Sequence, residues 1–203
     1  MIKYILTTVI SLSSLSVILA QHTDYSFSIH QETYIPLTTS TSVNNGFIWN
    51  DKSFHIPLSN PIDFFGHTTD TLMVSEGFLS LHAPLDEDGY VIDYNYTTPL
   101  IFSFTNSGLV DMADYSSSTT SESPISYHVS GALGQQILTI QFENATFYDV
   151  GDYMNNYVNF QIVYKEQFKE VELRFGNSNI TEIADILDVN DIEGFIMGIS
   201  KEF

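Results

Sequence analysis

Ser123-Pro-Ile-Ser-Tyr-His-Val-Ser-Gly131, Ile137-Leu-Thr-Ile-Gln-Phe-Glu-Asn144, Tyr157-Val-Asn-Phe-Gln-Ile-Val-Tyr-Lys-Glu166 and Val171-Glu-Leu-Arg-Phe-Gly176 succeed one another in the second half of the chain. Ile125, Tyr127 and Val129 fall on one side of an extended backbone, as do Leu138, Ile140 and Phe142. Val158, Phe160, Ile162 and Tyr164 follow the same rule, and so do Val171, Leu173 and Phe175. The intervening Ser, His, Thr, Gln, Glu, Asn and Arg suit an opposite, solvated face. Period-two alternation in four successive segments predicts antiparallel strands with one face on a core and one in water.

Working outward, Leu100, Phe102 and Phe104 alternate in the same way. Leu72 to Leu81 reads as a strand interrupted at Glu76-Gly77, where glycine permits a turn or bulge. Phe54, Ile56 and Leu58 alternate until Pro57–Pro61 breaks the run, which resumes over Ile62 to Gly66. Gln21 to Asn45 reads as an edge strand plus loop, and Tyr148–Asn156 and Lys165–Glu170 as hairpin loops. The Ser-rich stretch Asn106–Glu122 reads as a surface excursion. Asn179–Leu187 has the marks of one short helix capped by Ser178 or Asn179, and Phe195–Ile199 those of a closing strand. Many short strands and at most one short helix predict an all-β fold, an antiparallel two-layer β-sandwich.

Residues 1–20 carry Lys3 and then an apolar run diluted by Ser and Thr, with Ala20 before Gln21 as the cleavage point. Polar sequence follows at once, so residues 1–20 read as a secretory signal peptide, and residues 21–203 as a single β-sandwich domain. The chain contains no Cys, which excludes disulfides, thiol catalysis and Cys-ligated zinc. Its formal net charge of −19 repels nucleic acid, so a nucleic-acid partner is not expected.

Phe64-Phe-Gly66, the Val74-Ser-Glu-Gly-Phe78 turn and the four strands quoted above together carry a family resemblance. The chain resembles an N-terminal β-sandwich module of exported Bacteroidetes proteins, often substrates of the type IX secretion system. The likeness spans roughly residues 53–176 and implies export and a scaffold without catalytic residues. Two departures stand out. Gln135-Gln136 occupies the place where such sequences usually carry a basic residue, and no C-terminal sorting domain precedes Phe203.

Among chemistry-bearing clusters, Asp86, Asp88 and Asp93 lie around Gly89, and clustered carboxylates in a turn suit Ca²⁺. Their spacing misses the EF-hand register, and a solvated acidic loop is the plainer reading. The second acidic run, Asp185 to Glu193, misses it as well. Glu143 and Glu172 point outward on strands close enough in sequence to come near one another, and carboxylate pairs about 5–10 Å apart hydrolyse glycosides. Outward acids on a wet face more simply serve solvation. The six His residues form no metal-binding pair, and no nucleophile elbow or phosphate loop occurs.

Loop aromatics remain. Trp49, Tyr90, Tyr94 and Tyr96 sit in or beside predicted loops, where aromatic rings stack on sugars, anchor a partner or cap the core. The sequence therefore predicts a secreted or cell-surface, non-catalytic module with a structural, adhesion or attachment role and a protein or glycan partner. A carbohydrate-binding module using those aromatics is the alternative.

Overall fold

The computed structural model describes Ser26 and residues 28–81, 83–91, 100–105, 108–148, 155–181 and 196–200. The signal-peptide segment, Tyr94, Tyr96 and Asp93 lie outside them, as does the expected helix after Thr181. The chain divides into two units, Met1–Thr33 and Tyr34–Phe203. In the first, the described residues carry no strand or helix, and the His30 ring hydrogen-bonds the Ser28 hydroxyl at 3.0 Å.

The second unit is an all-β sandwich of two antiparallel sheets. One sheet has the order β1 (Thr41–Ser42), β7 (Ile125–Ser130), β8 (Ile137–Phe147), β9 (Tyr157–Lys165), β10 (Glu170–Phe175), with β6 (Leu109–Val110) pairing the far end of β8. The other has the order β11 (Ile196–Ser200), β5 (Leu100–Thr105), β4 (Phe78–Leu81), β3 (His67–Ser75), β2 (Ser53–Phe64). A 3₁₀ turn spans Met112–Tyr115. Asn179 bridges Tyr157 in antiparallel fashion.

The alternation in the quoted strands becomes rows across the first sheet. Val129, Leu138, Tyr164 and Val171 share one row. Tyr127, Ile140, Ile162 and Leu173 share the next, and Ile125, Phe142, Phe160 and Phe175 the third. On the central strands these side chains are fully buried, and Phe142 and Phe160 stack at 4.5 Å. From the opposite sheet Ile56, Ile62, Phe64, Leu72, Val74, Leu79 and Ile101 complete the core. Burial of this apolar surface is the main driving force, at roughly 25 cal/mol per Å². On edge strand β10 the pattern weakens, and Phe175 is exposed.

Local turn chemistry sets the registers. Phe65 (φ 51°) and Gly66 (φ 92°) form the two-residue β2–β3 loop that joins Phe64 to His67, a twist-matched turn requiring two left-handed residues. Glu76-Gly77 closes β3–β4 in the same way, so the interruption read in the sequence is a hairpin. Within β2 the pairing jumps from Pro57↔Thr71 to Ile62↔Thr69. Residues 58–61 thus arch away from β3, opposite Asp70 alone. β2 is an edge strand, where proline's missing N–H is tolerated.

The outer face of the first sheet departs from expectation: its centre is covered rather than wet. Gln141 and Gln161 are each 1 % exposed, and Val163 is buried. The segment Tyr34–Leu37 supplies the cover. Its Leu37 N–H donates to Gln141 Oε1 at 2.8 Å, and Gln161 Nε2 donates to Ile35 O at 3.0 Å and to Gln141 Oε1 at 2.8 Å. Two amide side chains therefore satisfy the backbone that covers them. Burial, reinforced by the charge of Glu143, raises the Tyr34 phenol to about 12.

Candidate functional site

Buried acids are the first place to look for chemistry, and here they hold the scaffold. Asp111 is fully buried beside the 3₁₀ turn. Its Oδ1 accepts the N–H groups of Ala113, Glu122 and Ser123 at 2.9–3.1 Å, and its Oδ2 accepts the Ser121 hydroxyl. The Ser-rich excursion is consequently pinned at its return. Glu166, 5 % exposed, accepts Asp63 N–H at 2.8 Å through Oε1 and Gln136 N–H at 3.0 Å through Oε2, tying β2 to the other sheet. Nearby, the Tyr164 hydroxyl donates to Asp63 O at 2.7 Å and accepts Phe65 N–H at 3.1 Å. Burial raises that phenol to about 12. Lys169, hydrogen-bonded to the Asp63 carboxylate, holds the latter's pKa below the ordinary value.

Of the predicted site residues, Trp49, Tyr90, Asp86 and Asp88 are among those described. Trp49 corrects the loop-platform expectation: it is 0 % exposed, edge-to-face with Phe142 at 6.1 Å, and its Nε1–H donates to Ser123 O at 2.7 Å. Its ring caps the core and presents no face to a ligand. Tyr90 is 43 % exposed, in a small hairpin closed by the Leu85↔Val91 bridge. Within that hairpin Asp86 Oδ1 accepts the N–H groups of Asp88 and Tyr90 at 3.0 and 2.8 Å, an Asx-type turn. Among the described residues no three His, Cys, Asp or Glu side chains gather as a metal site.

The two outward glutamates also have other partners. Glu143 accepts Gln141 Nε2 at 2.7 Å, whereas Glu172 pairs with Lys165 and Arg174. Glu172 is held below its ordinary pKa because, against partial burial, these two cations favour the carboxylate.

Two features escaped sequence reasoning. Glu76, in the β3–β4 turn, is hydrogen-bonded to the Asp51 carboxyl, 25 residues earlier in the chain. Burial first, then that bond and Asp51's charge, push Glu76 up from 4.5 to about 8. The Glu76 carboxyl therefore holds its proton well above the usual carboxylate range. The second feature is a cleft of about 240 Å³ between β7 and the β2 arch. Thr41, Ser59, Asn60, Tyr127, His128 and Gln136 provide its polar lining, with Pro57, Val129 and Gly131 beside them. Both feet of the arch are stapled to the other sheet: the Tyr127 hydroxyl donates to Pro57 O at 3.0 Å, and Gln136 Nε2 donates to Pro61 O at 2.8 Å. Neither Glu76 nor Asp51 lines this cleft.

Residues 24–191 match the family described as NIDO related, and the chain belongs to that family. Its domain is accordingly a nidogen-related module of the extracellular type. No curated protein and no solved structure gives a significant match to the chain. Among the described residues no helix is long and apolar enough to cross a membrane.

Proposed function

We propose that this protein is a secreted, non-catalytic recognition module acting in adhesion or attachment at a cell surface. The observation that carries this reading is the stapled cleft, whose polar lining is hydroxyl, amide and imidazole groups, while the buried carboxylates Asp111 and Glu166 are engaged by backbone amides. Such a lining suits recognition by hydrogen bonding rather than acid–base chemistry. The extracellular character of the family and the signal-peptide pattern of residues 1–20 support export, and the resemblance to exported Bacteroidetes modules supports a bacterial envelope or exterior. The test is attachment of the purified protein, immobilised on beads, to intact cells. Saturable attachment lost on placing a bulky residue in the cleft, Asn60→Trp, is the expected result. Hydrolase turnover abolished by Glu76→Gln or Glu143→Gln would overturn it.

A glycan-binding reading draws on Tyr90, whose half-exposed ring has a polar surround. On a glycan array it predicts specific binding lost in Tyr90→Ala, and with Trp49 buried it must do without that ring.

A further inference from the structure

The cleft runs along an incomplete sheet edge. β7 pairs β8 along its whole length, but on its other side β1 supplies only Thr41↔Tyr127 and Ser42↔Ser126. At the start of β7 the outward groups are those of Ile125, whose C=O accepts Val43 N–H and whose N–H donates to Asn44 Oδ1. Alternation along an antiparallel strand then turns the N–H and C=O of Tyr127 and Val129 the same way. Tyr127 is met by Thr41. Among the described residues no strand lies beside Val129, because β1 ends at Thr41 and the preceding chain leads instead to Leu37, which is held on the sheet's outer face by Gln141. An edge with an open position next to an occupied one is a template for a further extended segment.

The far wall decides what fits. Ser59 and Asn60 stand on the arch opposite Val129, and the staples at Pro57 and Pro61 hold that wall in place. A walled groove admits one strand, whereas the edge of a second copy's sheet would meet the arch. The volume, about 240 Å³, falls below the usual range for small-molecule sites. The lining carries no carboxylate, while the chain as a whole has a formal net charge of −19 that disfavours an acidic partner. From this geometry we infer that the groove between β7 and the β2 arch binds an extended, neutral or basic peptide segment of a protein partner. The segment adds antiparallel to β7 in continuation of β1. Its backbone pairs with Val129, and its alternate small side chains face Ser59 and Asn60. This inference rests on the recognition reading above and names its partner class.

A phage-displayed library of decapeptides alternating Thr, Ser and Val, with up to two Lys, provides the probe. Enriched peptides are expected to bind the whole protein, and to lose at least tenfold in affinity to Val129→Pro, which removes the outward N–H, and to Asn60→Trp, which fills the groove. N-methylation of alternate peptide residues on the strand-facing side should abolish binding, while methylation of the intervening ones should not. Near-UV circular dichroism checks that both variants are folded, and should Val129→Pro not fold, Asn60→Trp and the N-methyl series still decide. No enrichment, binding unaffected by Asn60→Trp and by N-methylation, or a dimer in sedimentation whose formation Asn60→Trp prevents would each overturn the proposal. Cell attachment that persists while peptide binding fails would leave the recognition reading standing without this partner.

Discussion

Replacing Glu76 by Gln should remove a distinct pH dependence from the stability of this protein. The Glu76 carboxyl sits in a tight hairpin turn, bonded to Asp51, with its pKa raised from 4.5 to about 8. The folded state therefore holds a proton that the unfolded chain releases between those values. Stability linked to Glu76 is fully present below pH 4.5, declines as pH rises, and is lost once pH passes about 8. A rise of about 3.5 in pKa corresponds to at most about 5 kcal/mol. Partial solvent access and relaxation of the turn reduce this to about 2–3 kcal/mol. Gln keeps a donor for Asp51 and cannot ionise. Urea denaturation of both proteins at pH 5, 6, 7, 8 and 9 measures the difference. The variant should gain on the native protein by about 2–3 kcal/mol between pH 5 and 9, or roughly 5–10 °C in Tm. Stability curves that run parallel across this range would refute the raised Glu76 pKa.

Three further outcomes follow from packing. Trp49→Ala should cost about 3–5 kcal/mol in urea denaturation, from lost burial and an unpaired Ser123 carbonyl; a loss of ligand binding with unchanged stability would contradict its place in the core. Glu166→Gln leaves an amide group facing the N–H of either Asp63 or Gln136 and should cost about 2–3 kcal/mol, read from the urea midpoint. Gly131→Ala places a Cβ at 2.4 Å from Gln135 O on a residue with φ +90°. A loss of about 2 kcal/mol is expected there, seen as a lowered Tm.

How much of this was legible depended on the range over which each determinant acts. The rows through Leu138, Ile140 and Phe142 were readable because a strand repeats every two residues and the core demands apolar groups at that spacing. Glu76-Gly77 announced its turn through glycine. Which of its readings Trp49 takes was not legible, because it lies outside any alternating run and its burial depends on Ser123 and Phe142, far along the chain. Gln141 and Gln161 have the polarity of a wet face. Their burial is set by Tyr34–Leu37, which no local pattern links to them. Pro57–Pro61 was visible as a break, yet its use as a wall depends on Tyr127 and Gln136. Of the proposed peptide groove only the proline signal could be seen in advance, since an unpaired edge is a property of the assembled sheet.

The pairing of β11 with β5 has a kinetic consequence. Ile199 meets Ile101 across nearly half the sequence, whereas β2 to β5 and β7 to β10 are built from neighbours. The hairpin ladders can form from local encounters, but the last strand must wait for a loop-closure search over that long separation. Until it arrives, β5 has an open hydrogen-bonding flank and its sheet lacks an outer strand. Completion of that sheet is therefore expected to be the slow phase of folding, and the exposed flank of β5 the place where a stalled chain would associate with another.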